Sequence, residues 1–219
     1  MEDILNIYNL IALVLAYLVG SIPSALWVGR LFFGVDVREH GSKNAGATNT
    51  FRVLGKRAGF PVLFMDIFKG WAAVTLLTVF CEFGHGSNQL VNFQLAVGMA
   101  AVFGHIYPIY AKFRGGKGVA TLLGIIFAIH PEAAGIAFGI FLITFLISKY
   151  VSLGAIVAAV IFPFIVIFIF KSQDTPTLIY FSIVMSLLVI YTHRANIDRL
   201  LKKEENKMKV SINFRRNNK

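Results

Sequence analysis

The chain has 219 residues, 57% of them hydrophobic and only 15% charged, yet its formal net charge is +10. Its mean hydropathy of +0.71 and its apolar excess over the ~45–50% of a soluble domain exclude an ordinary soluble globule and a disordered chain. One cysteine excludes an internal disulfide framework, so the composition describes a multi-pass membrane protein.

The N-terminus carries Glu2 and Asp3 and no cation, the reverse of a secretory signal. Residues 4–29 form the first apolar run. "GSIPS" at 20–24 interrupts it, and Pro23 predicts a kink because it removes a backbone donor. Runs at 59–80 and 93–111 follow, with residues 82–92 as an external loop. "HPE" at 130–132 breaks the stretch 119–148, and Pro131 suits a helix start, so this stretch predicts two short helices. Runs at 152–170 and 177–193 complete an all-α set of seven transmembrane helices, a single integral-membrane domain over 1–219 that ends in a basic tail at 202–219.

Charge sets the expected orientation. Lys and Arg number six in 30–58, three in 112–117, one at 149 and nine in 194–219, so 19 of 21 fall on one side. The positive-inside bias then puts the N-terminus outside and the C-terminus in the cytoplasm. The same bias accounts for the basic tail, which is also suited to anionic lipid heads. No aromatic-basic platform suggests nucleic acid as a partner.

Polar motifs sit between the runs. In "GSKNAGATNTFR" (41–52), Gly41 and Gly46 allow backbone N–H groups to converge on an anion. Ser42, Asn44, Thr48 and Asn49 add short polar groups, and Lys43 and Arg52 add charge. The spacing approaches a P-loop, but Ala47 stands where its lysine belongs, so it is no NTPase loop. "FRGGKGVAT" (113–121) sets Gly115, Gly116 and Gly118 around Lys117 just before a helix, and helix N-termini bind phosphate. Two such loops on one face suggest two phosphate groups side by side. Either loop taken alone could be only a polar turn. Asp66 and Lys69, at i and i+3 inside the second run, must face the protein interior or a wet cleft. In "THRANIDRL" (192–200), His193 and Asn196 share a helix face. His193 and Asp198 also spell H-x4-D, an acyltransferase signature. Residues five apart on a helix point about 140° apart, and the 21 residues after Asp198 are too few for the soluble domain in which that motif works. The five histidines show no metal-ligand spacing.

Together "GSIPSA" (20–25), "GVDVREHGSKNAGATNTFRVLGKRAG" (34–59), "DIFKG" (66–70), "GHIYPIYAKFRGGKGVAT" (104–121), "YVSLGAI" (150–156) and "THRANIDRLL" (192–201) resemble, in order and spacing, the acyl-phosphate-dependent glycerol-3-phosphate acyltransferases of bacterial membranes. Lys43 stands where that pattern has glycine. The resemblance implies a seven-helix enzyme of the bacterial inner membrane, its site facing the cytoplasm. It implies transfer of an acyl group from acyl phosphate to glycerol 3-phosphate, without metal or cofactor, by a monomer. It implies catalytic positions at Ser42, Arg52, His193 and Asn196, and a glycerol 3-phosphate site at Gly115, Gly116, Lys117 and Gly118. Lys43, Asn44, Thr48, Asn49, Asp66, Lys69 and Ser152 are further candidates for substrate binding, with Glu205 in support. The rival classes are a transporter of phosphorylated metabolites and a non-catalytic lipid scaffold. No inverted repeat is visible, and the polar motifs gather at one face rather than the midplane, which argues against the transporter.

Overall fold

The computed structural model describes residues 6–78, 83–84, 86–171 and 175–208. Parts of the 82–92 loop and of the 202–219 tail therefore lie outside the described residues, as do Cys81, Glu82 and Asp174. The described residues form ten α-helices and no strand: α1 (Ile7–Gly20), α2 (Ser24–Phe33), α3 (Ala47–Leu54), α4 (Lys56–Leu77), α5 (Asn88–Ile106), α6 (Val119–Ile129), α7 (Pro131–Ser148), α8 (Val151–Phe164), α9 (Pro176–Thr192) and α10 (Arg194–Leu201).

Five segments are long and apolar enough to cross a membrane, and a sixth arises if α9 and α10, which meet at a 60° bend, count as one. The chain is thus an all-helical, multi-pass membrane protein. The expected run 119–148 does divide at Pro131, which occupies the first turn of α7. Its first half, α6, has 11 residues, or ~16 Å at 1.5 Å per residue, against ~30 Å of hydrocarbon. The run 177–193 stops one residue early, because His193 forms the bend. Below Pro163, α8 widens into a π turn over Ile165–Ile169, with Phe170 N–H donating to the Ile165 carbonyl at 3.2 Å. Proline withdraws a donor from the ladder, and the wider turn re-engages the carbonyls that follow.

The kink at Pro23 separates α1 from α2 and leaves the Ile22 carbonyl outside both helices. Lys69 fills that gap. Its Nζ donates to Ile22 O at 2.9 Å and pairs with Asp66 Oδ1 at 2.8 Å. Ser24 Oγ, in the first turn of α2, donates to the same Asp66 oxygen at 2.9 Å. Asp66 and Lys69 are 2% and 5% exposed, so neither charge meets lipid and each is neutralised by the other.

Helices α4 and α6 pack closely because each offers a glycine where they cross. A Cβ on Gly70 would strike the Thr121 carbonyl, and one on Gly124 would strike the Ile67 carbonyl. In lipid, where the apolar environment gives little drive to helix pairing, close backbone approach supplies much of the contact energy. The largest buried cluster lies beside this crossing and joins Val102, Ile125, Ala134, Phe162 and Met185 from α5 to α9. We expect Gly124→Val to destabilise the fold by about 1–3 kcal/mol, the usual cost of overpacking. Thermal unfolding in detergent should show this as a lowered Tm, and an unchanged Tm would contradict the packing.

Candidate active site

The first polar loop is fixed at its base. Asp36 Oδ2 accepts from Arg38 Nη2 at 2.9 Å and from Arg30 Nη2 at 2.8 Å. These bonds, Arg38's foremost, hold the Asp36 carboxyl well below the usual carboxylate range against the opposing effect of burial. Arg38 Nη1 also donates to the Ala111 carbonyl at 3.0 Å, binding the first loop to the one after α5. Further on, the buried Asn49 side chain gathers the loop: Nδ2 donates to Val37 O at 2.7 Å and His40 O at 3.1 Å, while Oδ1 accepts from Ser42 N–H at 2.8 Å. Gly41 and Lys43 both take left-handed conformations, φ 59° and 58°. Glycine adopts that conformation without steric cost, which is the physical reason for glycine where this chain has Lys43.

The second loop folds back on α5. Gly115 N–H donates to Ile106 O at 3.2 Å and Gly116 N–H to His105 O at 3.1 Å. His105 Nδ1 lies 3.1 Å from Thr121 Oγ1 and 3.6 Å from Asp66 Oδ1, so the loop rests on the same buried acid that ties α2 to α4. Gly118, at φ 82°, turns the chain into α6.

The C-terminal segment supplies the third part. Glu205 is clamped by Arg199 Nε at 2.7 Å, Asn196 Nδ2 at 2.8 Å and Ser152 Oγ at 3.2 Å. Burial pushes the Glu205 pKa up, but these donors outweigh it and lower it overall. Asn196 Oδ1 in turn accepts from Lys117 Nζ, linking the clamp to the second loop. Met208 N–H donates to Lys149 O at 2.9 Å and fastens the segment over the α7–α8 turn. His193, buried at the α9–α10 bend, places Nδ1 2.8 Å from the Val189 carbonyl. A carbonyl can only accept, so Nδ1 carries the proton and the neutral ring offers Nε2 as its lone pair.

These parts surround one cavity of about 580 Å³. Ser42, Asn44, Thr48, Asn49, Arg52, Asp66, Lys117, Gly118, Ser152, His193, Asn196 and Glu205 all line it. Lys43 does not line it and is exposed. Lys69, Gly115 and Gly116 lie behind it instead, around a pocket of about 10 Å³ that also touches Asp66 and His105. Lys56 and His105 line the large cavity without having been expected there, and Arg199 holds Glu205. Lys56 and His105 lie inside the motifs at 34–59 and 104–121, but neither has a partner at short sequence spacing to single it out. The lysines and arginines paired with carboxylates among the described residues are Arg30, Arg38, Lys69, Arg199 and Lys202. Arg52, Lys56 and Lys117 therefore face the cavity without a carboxylate of their own, as an anion site requires. Away from this mouth the wall is apolar, with Phe138 and Phe141 on α7, Ala155 and Phe162 on α8, and Met185 and Val189 on α9. Asp198 is not part of the cavity. It pairs with Lys202 at 3.0 Å on the exposed side of α10. The helix runs on from His193, whose carbonyl accepts from Ile197 N–H at 2.9 Å as the cap of α10, and it carries Asp198 away from the cavity.

The family profile described as "Glycerol-3-phosphate acyltransferase" matches residues 10–203. The chain belongs to the glycerol-3-phosphate acyltransferase family. It is similar to proteins of that description from Staphylococcus carnosus (45% identical, covering 90% of this chain and 96% of the relative) and Chlorobium phaeobacteroides strain BS1 (40% identical, 91% and 96%). The crystal structure of the glycerol 3-phosphate form of PlsY, an integral membrane glycerol 3-phosphate acyltransferase, superposes with a TM-score of 0.81 at 39% identity, over 92% of this chain and 96% of that one. The lysophosphatidic acid form of the same protein gives 0.78. Within the glycerol-3-phosphate acyltransferase match fall all the candidate residues except Glu205, which lies just past its end.

Two predictions follow from the geometry. Asn196→Ala removes a partner from both Lys117 and Glu205 and should lower kcat/KM by about a hundredfold or more, whereas Asp198→Asn loses only an exposed pair and should leave activity near wild type. The opposite ranking in folded variants would restore the His–Asp pairing. Burial lowers the Lys117 pKa to about 8, with Arg199 and Arg52 adding to the effect and Glu205 opposing it. Phosphate attracts the protonated amine, so KM for the phosphorylated substrate should rise as pH passes upward through about 8. Lys117→Arg should flatten that rise, because guanidinium stays charged throughout.

Proposed function

We propose that this glycerol-3-phosphate acyltransferase takes its acyl group from acyl phosphate and places it on the sn-1 hydroxyl of glycerol 3-phosphate, releasing lysophosphatidic acid and inorganic phosphate. The observation that carries the reading is the single cavity in which unpaired Arg52, Lys56 and Lys117 meet an apolar channel. The cations and the polar side chains of Ser42, Asn44 and Thr48 suit two phosphate esters, and the channel suits a fatty chain.

In the reaction the hydroxyl oxygen attacks the acyl carbonyl carbon, the carbon–oxygen bond to phosphate breaks, and the hydroxyl proton leaves on the departing phosphate. The donor is an activated anhydride, so the protein's task is to position both reactants and to neutralise charge on the departing phosphate. Ser42, Arg52 and Lys117 serve that charge in our reading, and Asn196 orients Lys117. His193, with Nε2 free of the proton, is the alternative acceptor for the hydroxyl proton.

The four basic segments meet at one end of the helices: the first loop through Arg38, the second through Lys117, the α7–α8 turn through Lys149 and the C-terminal segment through Asn196 and Met208. On the charge bias, that end faces the cytoplasm of a bacterial inner membrane, and α6 together with the spans makes seven membrane-embedded helices. We read the enzyme as a monomer, and its basic surface as a membrane feature with no role for nucleic acid. Phosphorylated acceptor and lipid bilayer are the partners, with no cofactor or metal.

The deciding experiment supplies purified protein with labelled glycerol 3-phosphate and either acyl phosphate or acyl-CoA. We expect lysophosphatidic acid from acyl phosphate alone. Equal turnover from acyl-CoA would remove the donor assignment, and no transfer from any donor would remove the enzymatic reading in favour of a scaffold.

A further inference from the structure

The apolar channel has a floor. On α8 one face is small over two turns and then abruptly large: Ser152, Ala155 and Ala158 with Ala159 line the cavity, and Phe162 is the last α8 residue to do so. Beyond it, neither Pro163, buried near the end of α8, nor Ile165 and Val166 in the π turn, 2% and 1% exposed, line the cavity. Phe162 is itself 7% exposed and packs in the core cluster with Ile126, Ala134 and Met185. Helix α7 runs against α8 with the opposite size order, aromatic near the mouth at Phe145 and small at Ala137 and Ala134. The Phe162 ring thus occupies the room those alanines leave.

We infer that Phe162 is a specificity-determining residue that sets the acyl chain length the enzyme accepts. The inference rests on the proposed acyl transfer and goes further by placing the limit at one side chain. Phe162 lies ten residues beyond Ser152, ~15 Å along the helix. A carbon chain advances ~1.3 Å per atom when zigzagged from ~1.5 Å bonds, so about a dozen carbons span the distance from the Ser152–Glu205 contact to the ring. Longer chains meet the ring and must bend, at a cost that grows with each carbon. Removing the ring opens the channel by one helical turn, ~5 Å, to the level of Ile165 and Val166. Moving an aromatic ring up one turn, to position 159, shortens it by a similar length.

The test measures kcat/KM for lauroyl, myristoyl, palmitoyl and stearoyl phosphate with the full-length wild type, Phe162→Ala, Phe162→Leu and Ala159→Phe. Each methylene newly buried is worth about fourfold in binding. The palmitoyl-to-lauroyl ratio should therefore rise about tenfold or more in Phe162→Ala and to a lesser degree in Phe162→Leu. In Ala159→Phe, assayed with octanoyl phosphate as well, the ring leaves room for about eight carbons, so the lauroyl-to-octanoyl ratio should fall by about tenfold or more, and KM for glycerol 3-phosphate should stay within about twofold in all three. A merely structural role would lower every rate together and leave the ratio where it was. If Phe162→Ala fails to fold, Phe162→Leu and Ala159→Phe decide the matter. Ratios unchanged within about twofold in the active variants would overturn the inference and indicate a chain that leaves sideways between α4 and α7. Absence of transfer from every acyl phosphate by the wild type would instead overturn the proposed activity.

Discussion

A pair of opposite charges inside the bilayer organises this molecule. Asp66 and Lys69 sit one turn apart on α4, at a depth where either charge alone would cost at least ~2.5–3.5 kcal/mol. Each is neutralised by the other, and each also bonds to a neighbouring element. Lys69 takes the Ile22 carbonyl that the Pro23 kink leaves outside a helix, and Asp66 takes the Ser24 hydroxyl and faces His105. A polar backbone break is tolerable at membrane depth only where protein satisfies it. The ion pair does so for the α1–α2 break, and through His105 it also supports the turn that carries Gly115 to Gly118.

The site is built outward from that anchor by a chain of single-atom constraints. His105 O holds Gly116, the loop presents Lys117, Lys117 reaches Asn196, and Asn196 leans on Glu205 with Ser152 and Arg199. These links bring Lys117 of the second loop, Ser152 of α8, Asn196 of α10 and Glu205 of the segment after it to one mouth. The electrostatic result is an excess of positive charge at the mouth, because the one carboxylate in the clamp is already spoken for by Arg199.

Much of this architecture was legible in the sequence, for reasons that lie in the solvent. Lipid admits only apolar surface on a helix, so hydropathy located every run, and Pro131 and Pro23 marked breaks that are present. The motifs at 41–52, 113–121 and 192–201 stood out because polar residues have no other reason to cluster beside spans. Depth and direction were hidden. Nothing in the pattern of Asn49 distinguishes a side chain that turns inward to three backbone groups from one that reaches a substrate. Gly115 and Gly116 looked like a cradle, yet they line the back pocket, because their N–H groups are already committed to α5 carbonyls. The bend at His193 has no proline or glycine to announce it. Lys43 was legible as an oddity, and its positive φ gives the oddity a cause.

The C-terminal strap has a consequence for how the molecule comes into being. The mouth joins Ser42 and Arg52, near the beginning of the helical bundle, to Asn196 and Glu205, beyond its last span. The clamp on Asn196 forms only once the segment that carries Glu205, which follows α6 to α9 in sequence, reaches the mouth. Until then Lys117 has no Asn196–Glu205 pair to hold it in place, and the channel stands without its polar lid. Completion of the mouth therefore depends on the segment through Glu205 and Met208, which holds Asn196 and fastens to the Lys149 carbonyl, so a chain cut short before Glu205 would keep the apolar channel and lack the clamp at its entrance.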